Sequence, residues 1–361
     1  NTARIGIKTV KTIDNPEKIA PATKYGAKIV VCHPGTADIA KSQETIEDFL
    51  NGPIYDVEQL IEGYMGPFGK WFGSGLNTGW YNTAKSHQFP GFDVTGGIHL
   101  IVPPESATLF KPNLNDLIIN STNEELATFI GSSNTTEIGY SDLNGEFQSL
   151  FNAPGGIING KHGIPMPYIQ GSVGLIKKTE ILFRFTPQVK SQDLQVKYWG
   201  IGMKHDLKQW IPGVKILPFD LSILAAYSRL NSSLSFSTEQ DLNFNVNAFN
   251  SNIVVSKKIL GLTPYVGLGY QYSKSNLSLN GEYIILDWDG EQIAEGQSVE
   301  LKDPINLEFG GVNGLKGTLG TRFKLLLFTF HIEWTKAEYD IFTIGIGLNS
   351  DIGSKLIGGS L

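Results

Sequence analysis

Between Thr318 and Asn349 apolar and polar residues alternate through three successive rounds. Leu319, Thr321, Phe323 and Leu325 interleave with Thr318, Gly320, Arg322 and Lys324. Phe328, Phe330, Ile332 and Trp334 then alternate with Thr329, His331, Glu333 and Thr335, and Phe342, Ile344, Ile346 and Leu348 with Thr343, Gly345, Gly347 and Asn349. A period of two belongs to β-strands, whose successive side chains point to opposite faces. In a soluble sandwich the apolar faces meet in a core of mixed sizes. Here the apolar face is mostly bulky, while the other carries Arg, Lys, His and Glu beside Gly. That inversion fits a barrel closed in lipid, apolar outside and polar inside; a soluble antiparallel sheet is the alternative.

The totals agree with a barrel. The 361 residues allow two ordinary domains or one large barrel, and the 20 Phe, 13 Tyr, 6 Trp and 41 Gly are rich in the residues barrels use. No run of 18 apolar residues occurs, so a membrane-crossing helix is excluded. The mean hydropathy of -0.08 does not count against a barrel, whose alternating strands average out. A net charge of -6 gives no basic field for nucleic acid. The single cysteine, Cys32, allows neither an internal disulfide nor a cysteine-only metal cluster. The first residues lack the pattern of a secretory leader, and the numbering is expected to begin in a mature or trimmed chain.

Residues 1–42 read as an extended N-terminal arm with no assigned role. Pro16, Pro21 and Pro34 break its short alternations, and Cys32 lacks the long apolar run that precedes a lipidated cysteine. Residues 43–91 read as a short helical and Gly-rich plug. Ile46, Phe49 and Leu50 mark one helix, ended by Gly52-Pro53. A second starts at Asp56, with Gln59 in capping-box position and Val57, Leu60, Ile61, Tyr64 and Met65 on one face. From Pro67 onward the sequence is rich in Gly, Asn and aromatics and has no period.

Residues 92–350 read as an antiparallel transmembrane β-barrel, all-β apart from the plug, with long loops at 105–163 and 277–313; residues 351–361 form a tail. Strands are expected at Phe92–Val102, Tyr168–Ile176, Glu180–Thr186, Gln195–Met203, Leu221–Tyr227, Asp241–Val255 and Pro264–Tyr272, followed by the three of the opening stretch. Ten strands is the floor; fourteen is the ceiling, because each long loop has room for a hairpin. Lys177-Lys178, Lys257-Lys258 and Leu325–Leu327 are expected as periplasmic turns, which places both long loops on the outside. The strand Phe342–Asn349 is expected to close the barrel against Phe92–Val102.

Convergent aromatic and polar groups beside a Gly-rich segment make Asn77, Trp80, Tyr81, Asn82, Lys85 and His87 the candidate ligand-binding residues; a purely space-filling plug is the competing reading. Arg184, Arg322, Lys324, His331 and Glu333 are expected to face the lumen, as a charge ladder or as structural pairs. His205-Asp206 lacks a nucleophile and falls on a turn, with Trp210 as a membrane-interface residue. The acidic stretch with Asp287, Asp289, Gly290 and Glu291 lacks the distal glutamate of a calcium loop. The six histidines show no zinc spacing. No catalytic residue, metal or cofactor is expected.

Gly75–Gly96, GLNTGWYNTAKSHQFPGFDVTG, resembles the end of the N-terminal hatch and the first strand of FadL-type outer-membrane transporters. Asn82, Thr83 and Ala84 stand where that family has Asn-Pro-Ala. Together with IEDFLNG and GIGMKHDLKQWIPGVKILPFDLS, the segment is closer to an uncharacterised outer-membrane barrel family of Bacteroidota. The resemblance covers Gln43 to about Ser350 and implies a barrel in the bacterial outer membrane, and FadL-type proteins bind hydrophobic molecules and pass them through the wall or lumen. The expected role is therefore passage or binding of small hydrophobic molecules, without covalent chemistry. The alternative is a non-transporting structural or accessory subunit of a larger outer-membrane complex. Candidate partners are outer-membrane lipid, a hydrophobic small molecule and other outer-membrane proteins.

Overall fold

In the computed structural model, residues 52–350 are described apart from 143, 159–162, 192–193, 214–215, 236–239 and 289–292; for 187–191, 194, 284–288 and 293–299 the backbone alone is described. The expected arm at 1–42, the first helix and the tail at 351–361 lie outside the described residues, as do Asp289, Gly290 and Glu291 of the acidic stretch.

One long helix, α1 (Ile54–Asn77), precedes the strands. The barrel strands are β1 (Phe92–Val102), β7 (Ile164–Gly174), β8 (Thr179–Ser191), β9 (Leu194–Asp206), β10 (Asp220–Ser235), β11 (Asp241–Ser256), β12 (Leu262–Asn280), β15 (Ile305–Leu325), β16 (Phe328–Lys336) and β17 (Asp340–Ser350). All neighbours are antiparallel, and β1 pairs with both β7 and β17, so the sheet closes. The β1–β17 register runs from Phe92↔Ser350 to Val102↔Asp340, which is the expected closure. Ten strands, the floor of the sequence reading, form the wall.

Both long loops fall at the same end and carry strands outside the wall. The first holds β2 (Leu109–Phe110), β3 (Ile118–Ile119), β4 (Leu126–Ala127), β5 (Thr136–Ser141) and β6 (Phe147–Ala153). The second is the hairpin of β13 (Glu282–Trp288) and β14 (Ile293–Lys302). It is shorter than expected, because β12 continues to Asn280 and β15 begins at Ile305.

The wall is inside out relative to a soluble sheet. On β12 Leu262, Val266, Leu268, Tyr270 and Tyr272 are exposed, whereas Tyr265, Gln271 and Ser273 are buried. Ten residue steps from Leu262 to Tyr272, at a rise of ~3.4 Å and a tilt of ~40°, span about 26 Å, the height of an outer-membrane apolar belt. Among the described residues no helix is long and apolar enough to cross a membrane; the strands cross it. The protein is a barrel of the bacterial outer membrane.

Helix α1 contains the second of the two expected helices and is longer than expected. It starts at Ile54, with Pro53 as its cap, and continues through Pro67 to Asn77. Asp56 serves no capping box: its carboxylate accepts the backbone N–H groups of Asn115, Asp116 and Leu117 at 2.8–2.9 Å and ties the first loop to the helix. Pro67 and the helical glycines disfavour a helix in isolation, Pro by about 3 kcal/mol. Packing overrides them. Glycine is required where α1 meets β12, since a Cβ at Gly69 or Gly73 would lie 2.5 Å from Ser275 Oγ or 2.0 Å from Ser273 Oγ. The first turns of the helix bury Val57, Leu60 and Ile61, each a gain of roughly 1.5–3 kcal/mol.

Candidate functional site

The lumen changes character along its length. Toward the loop end it is apolar. On β11 the alternation Leu242, Phe244, Val246, Ala248 against Asn243, Asn245, Asn247 points Phe244, Val246 and Ala248 inward, where they are buried. They meet the aromatic side of α1. Phe68 lies 4.3 Å from Phe129 and 5.2 Å from Phe244 between ring centroids, and Trp71 lies 4.3 Å from Phe72. Phe309 joins this cluster through Phe244 at 6.3 Å. Tyr64 donates to the Gly155 carbonyl at 3.0 Å, and burial raises its hydroxyl above the ordinary tyrosine range, so it stays a donor.

Toward the periplasmic end the lumen is polar, and the segment after α1 threads through it. Lys316 Nζ donates to the Asn77 carbonyl, and Asn77 Nδ2 donates to the Tyr272 carbonyl at 3.1 Å. Trp80 is fully buried, donates from Nε1 to the Leu76 carbonyl at 2.8 Å, and lies flat against Gly200 and Gly202, where a Cβ would approach within 2.9–3.0 Å. Arg184 Cζ sits 4.3 Å from the Trp80 ring centroid and 4.8 Å from that of Tyr168. Its nitrogens donate to Gln170 Oε1 at 3.2 and 2.9 Å and to the Thr78 carbonyl at 2.8 Å. Tyr81 meets Tyr265 edge to face at 6.0 Å. Asn82 Oδ1 accepts from Arg322 Nη1 at 3.2 Å. The His87 N–H donates to Glu180 Oε2 at 3.0 Å, and the same oxygen is 3.0 Å from Lys204 Nζ. Lys85 is exposed and is not brought into this network through its side chain.

The other expected lumen residues each have a separate partner. His331 Nε2 is 3.1 Å from the Tyr168 hydroxyl, Glu333 Oε2 accepts from Tyr265 at 3.1 Å, and Lys324 Nζ donates to Asn349 Oδ1 near the turn. Outside the lumen, His205 accepts from Trp210 Nε1 at 2.7 Å, and Trp210 is exposed on the periplasmic loop.

The wall shows one seam among the described residues. Among the described residues the β7–β8 ladder runs only from Gly174↔Glu180 to Ile169↔Phe185. Beyond that point Ile164–Tyr168 still pair with β1, and β8 still follows β9 as far as Ser191. The cause lies in the sequence: Pro165 and Pro167 on one edge and Pro187 on the other have no N–H to exchange. Within the β1 ladder the two β7 prolines must take positions without mutual hydrogen bonds, which directs their carbonyls toward β8. The register of β8 on β9 shifts between Thr186 and Val189, on either side of Pro187. Tyr198, pointing inward from β9, bridges the gap and donates to the Pro167 carbonyl at 2.8 Å. Behind the seam Ile164, Met166, Tyr168 and Tyr198 are buried in the same cluster as Trp71 and Leu76 of α1. The seam therefore faces the apolar half of the lumen.

A family profile described as a family of unknown function, DUF6588, matches residues 24–350. The chain belongs to that family. No curated protein matches the sequence. Among solved structures the chain is similar to Ail, the attachment invasion locus protein of Yersinia pestis, at 9% identity over 72% of this chain and 98% of that one, with a TM-score of 0.23. It is also similar to the translocator domain of the autotransporter NalP from Neisseria meningitidis (11% identity, 80% and 95% coverage, TM-score 0.27) and to the Pseudomonas putida toluene transporter TodX (6%, 75% and 96%, 0.21). At these scores the likenesses carry no argument about what this chain does.

Two parts of the site escaped the sequence reading. The aromatic cluster depends on Phe68, Trp71 and Phe72, which lie in the Gly-rich stretch read as irregular. The seam depends on Pro165 and Pro167, which caused the second strand to be started at Tyr168 instead of Ile164. The signal was present, since prolines spaced by two in an alternating strand lose their donors on one edge only.

Proposed function

We propose that this barrel binds small hydrophobic molecules and passes them inward, admitting them sideways through the β7–β8 seam. The observation that carries the proposal is the end of that ladder at Ile169↔Phe185, directly in front of the packed apolar cluster inside the barrel. A hydrophobic molecule dissolved in the bilayer meets a wall whose edge groups are fewer and weaker there. It finds Met166 and Tyr168 behind them, and then the rings of α1. In this reading α1 and the segment from Asn77 to His87 act as a plug, anchored by hydrogen bonds that a shift in register can break and remake without covalent change. The FadL-type resemblance at Gly75–Gly96 supports the same reading.

One observation favours a structural or accessory role instead: the lumen is filled, with Leu76, Asn77, Trp80 and Ala84 fully buried. Purification from native membrane separates the two. Identification by mass spectrometry of a hydrophobic small molecule, lost when Met166→Asp polarises the apolar cluster, supports passage. Stoichiometric recovery of a second outer-membrane protein, with no such molecule and no uptake by reconstituted vesicles, overturns it in favour of the accessory role.

A further inference from the structure

On β9, β10 and β11 the outward face turns abruptly from apolar to polar. Ile201, Met203, Ile223, Phe249 and Ile253 are exposed to the membrane, and Trp199 and Tyr227 cap that belt as an edge-to-face pair 5.8 Å apart. Aromatic girdles of this kind mark the bilayer interface. The next outward positions toward the loop end carry Lys197, Arg229, Asn231 and Asn245. The register sets Arg229 opposite Trp199, and Asn231 opposite both Lys197 and Asn245. Lys197 and Arg229 are therefore diagonal neighbours, roughly 7–8 Å apart at the backbone. Together with Trp199, Ser233, Asn231 and Asn245, they line a depression of about 460 Å³.

We infer that this depression binds the phosphate of a phosphorylated glycolipid headgroup of the outer leaflet. Among the described residues neither Lys197 nor Arg229 has an ion-pair partner, although exposed lysines elsewhere on the chain do, such as Lys111 with Glu124 and Lys336 with Asp340. Asp241, on β11 beyond Asn243, accepts hydrogen bonds from the Asn243 and Asn280 amides. Asn245 Oδ1 accepts from Asn231, which leaves the Asn245 Nδ2 donors for a ligand. The site thus offers two cations and an oriented amide, the donor set that recognises phosphate. Its height selects the source. It lies immediately beyond the girdle at the loop end, where outer-leaflet headgroups sit, and Trp199 at its floor suits a sugar ring. This inference rests on the barrel's place in the membrane and is independent of passage through the seam.

The test uses the full-length protein in detergent micelles and native mass spectrometry, with bisphosphorylated lipid A, the same lipid without phosphates, and free inorganic phosphate as competitor. The expected result is a preference of about tenfold for the phosphorylated lipid, of the size two solvent-exposed ion pairs provide. The Lys197→Gln/Arg229→Gln variant loses that preference, and Lys257→Gln/Lys258→Gln at the periplasmic turn keeps it. All side chains changed are exposed, and heat-dependent gel mobility checks that each barrel is folded. Equal binding of the two lipids, or an unchanged preference in the Lys197/Arg229 variant, overturns the inference. Displacement of the lipid by inorganic phosphate at equal concentration reassigns the site to free anions and likewise overturns it.

Discussion

Tyr198 Oη donates to the Pro167 carbonyl at 2.8 Å across a strand to which neither residue belongs. Tyr198 stands on β9 and Pro167 on β7; β8 lies between them and leaves that carbonyl unpaired. One side chain therefore replaces a ladder. Tyr198→Phe removes the bond, keeps the ring in its apolar cluster, and should cost about 1 kcal/mol. The expected result is a folded barrel with faster uptake of a fluorescent hydrophobic probe into reconstituted vesicles. Uptake indistinguishable from wild type would show that the hydroxyl does not hold the seam.

The opposite change should zip the seam. Pro165→Thr/Pro167→Thr supplies two β7 donors on the β8 side, and threonine suits an outward strand position. Hydrogen exchange should then find new protected amides at positions 165 and 167, and probe uptake should fall below wild type. Rapid exchange at both positions would mean that Pro187 and the register shift alone keep the strands apart.

At the periplasmic end the buried pair of Glu180 and Lys204 supports both the wall and the lumenal segment. Its atoms are 3.0 Å apart, each side chain is 3% exposed, and Glu180 also receives the His87 N–H. Lys204→Met leaves the carboxylate buried without a countercharge, at a cost of about 3–5 kcal/mol. Urea unfolding in lipid vesicles should show that loss, and Lys204→Met/Glu180→Gln should recover much of it. A single variant within about 1 kcal/mol of wild type would mean that water reaches the pair.

The wall was legible because lipid outside and polar contacts inside write opposite demands onto alternate residues, as Phe330, Ile332 and Trp334 against His331, Glu333 and Thr335 show. The lumen was less legible, because there the same alternation has two meanings. On β12 Tyr265 and Gln271 point inward and Val266 and Leu268 outward, whereas on β11 Phe244 points inward and Asn245 outward. Only the position of α1 decides which face is which, and the half of α1 from Pro67 onward was itself hidden by that proline and its glycines. The long-range contacts of Asn77, Trp80 and Asn82 join residues 90 to 240 positions apart, such as Gln170 with Trp80 and Arg322 with Asn82, and no local pattern encodes such pairs.

Arg184 offers the sharpest test of whether the lumenal segment seals the barrel. Its guanidinium is buried between the Trp80 and Tyr168 rings, and no carboxylate pairs with it among the described residues. Its three hydrogen bonds fix Gln170 and the Thr78 carbonyl, so the charge is held by ring faces and neutral acceptors. A desolvated stack of this kind is worth about 2 kcal/mol. Lysine has neither the plane to stack between two rings nor the fork to reach both acceptors. Arg184→Lys should therefore loosen the segment nearly as much as Arg184→Met, although it keeps the charge. In planar bilayers wild type should be close to silent, and both variants should show open events. If Arg184→Lys stays silent while Arg184→Met conducts, charge alone holds the segment and the stacking geometry does not matter.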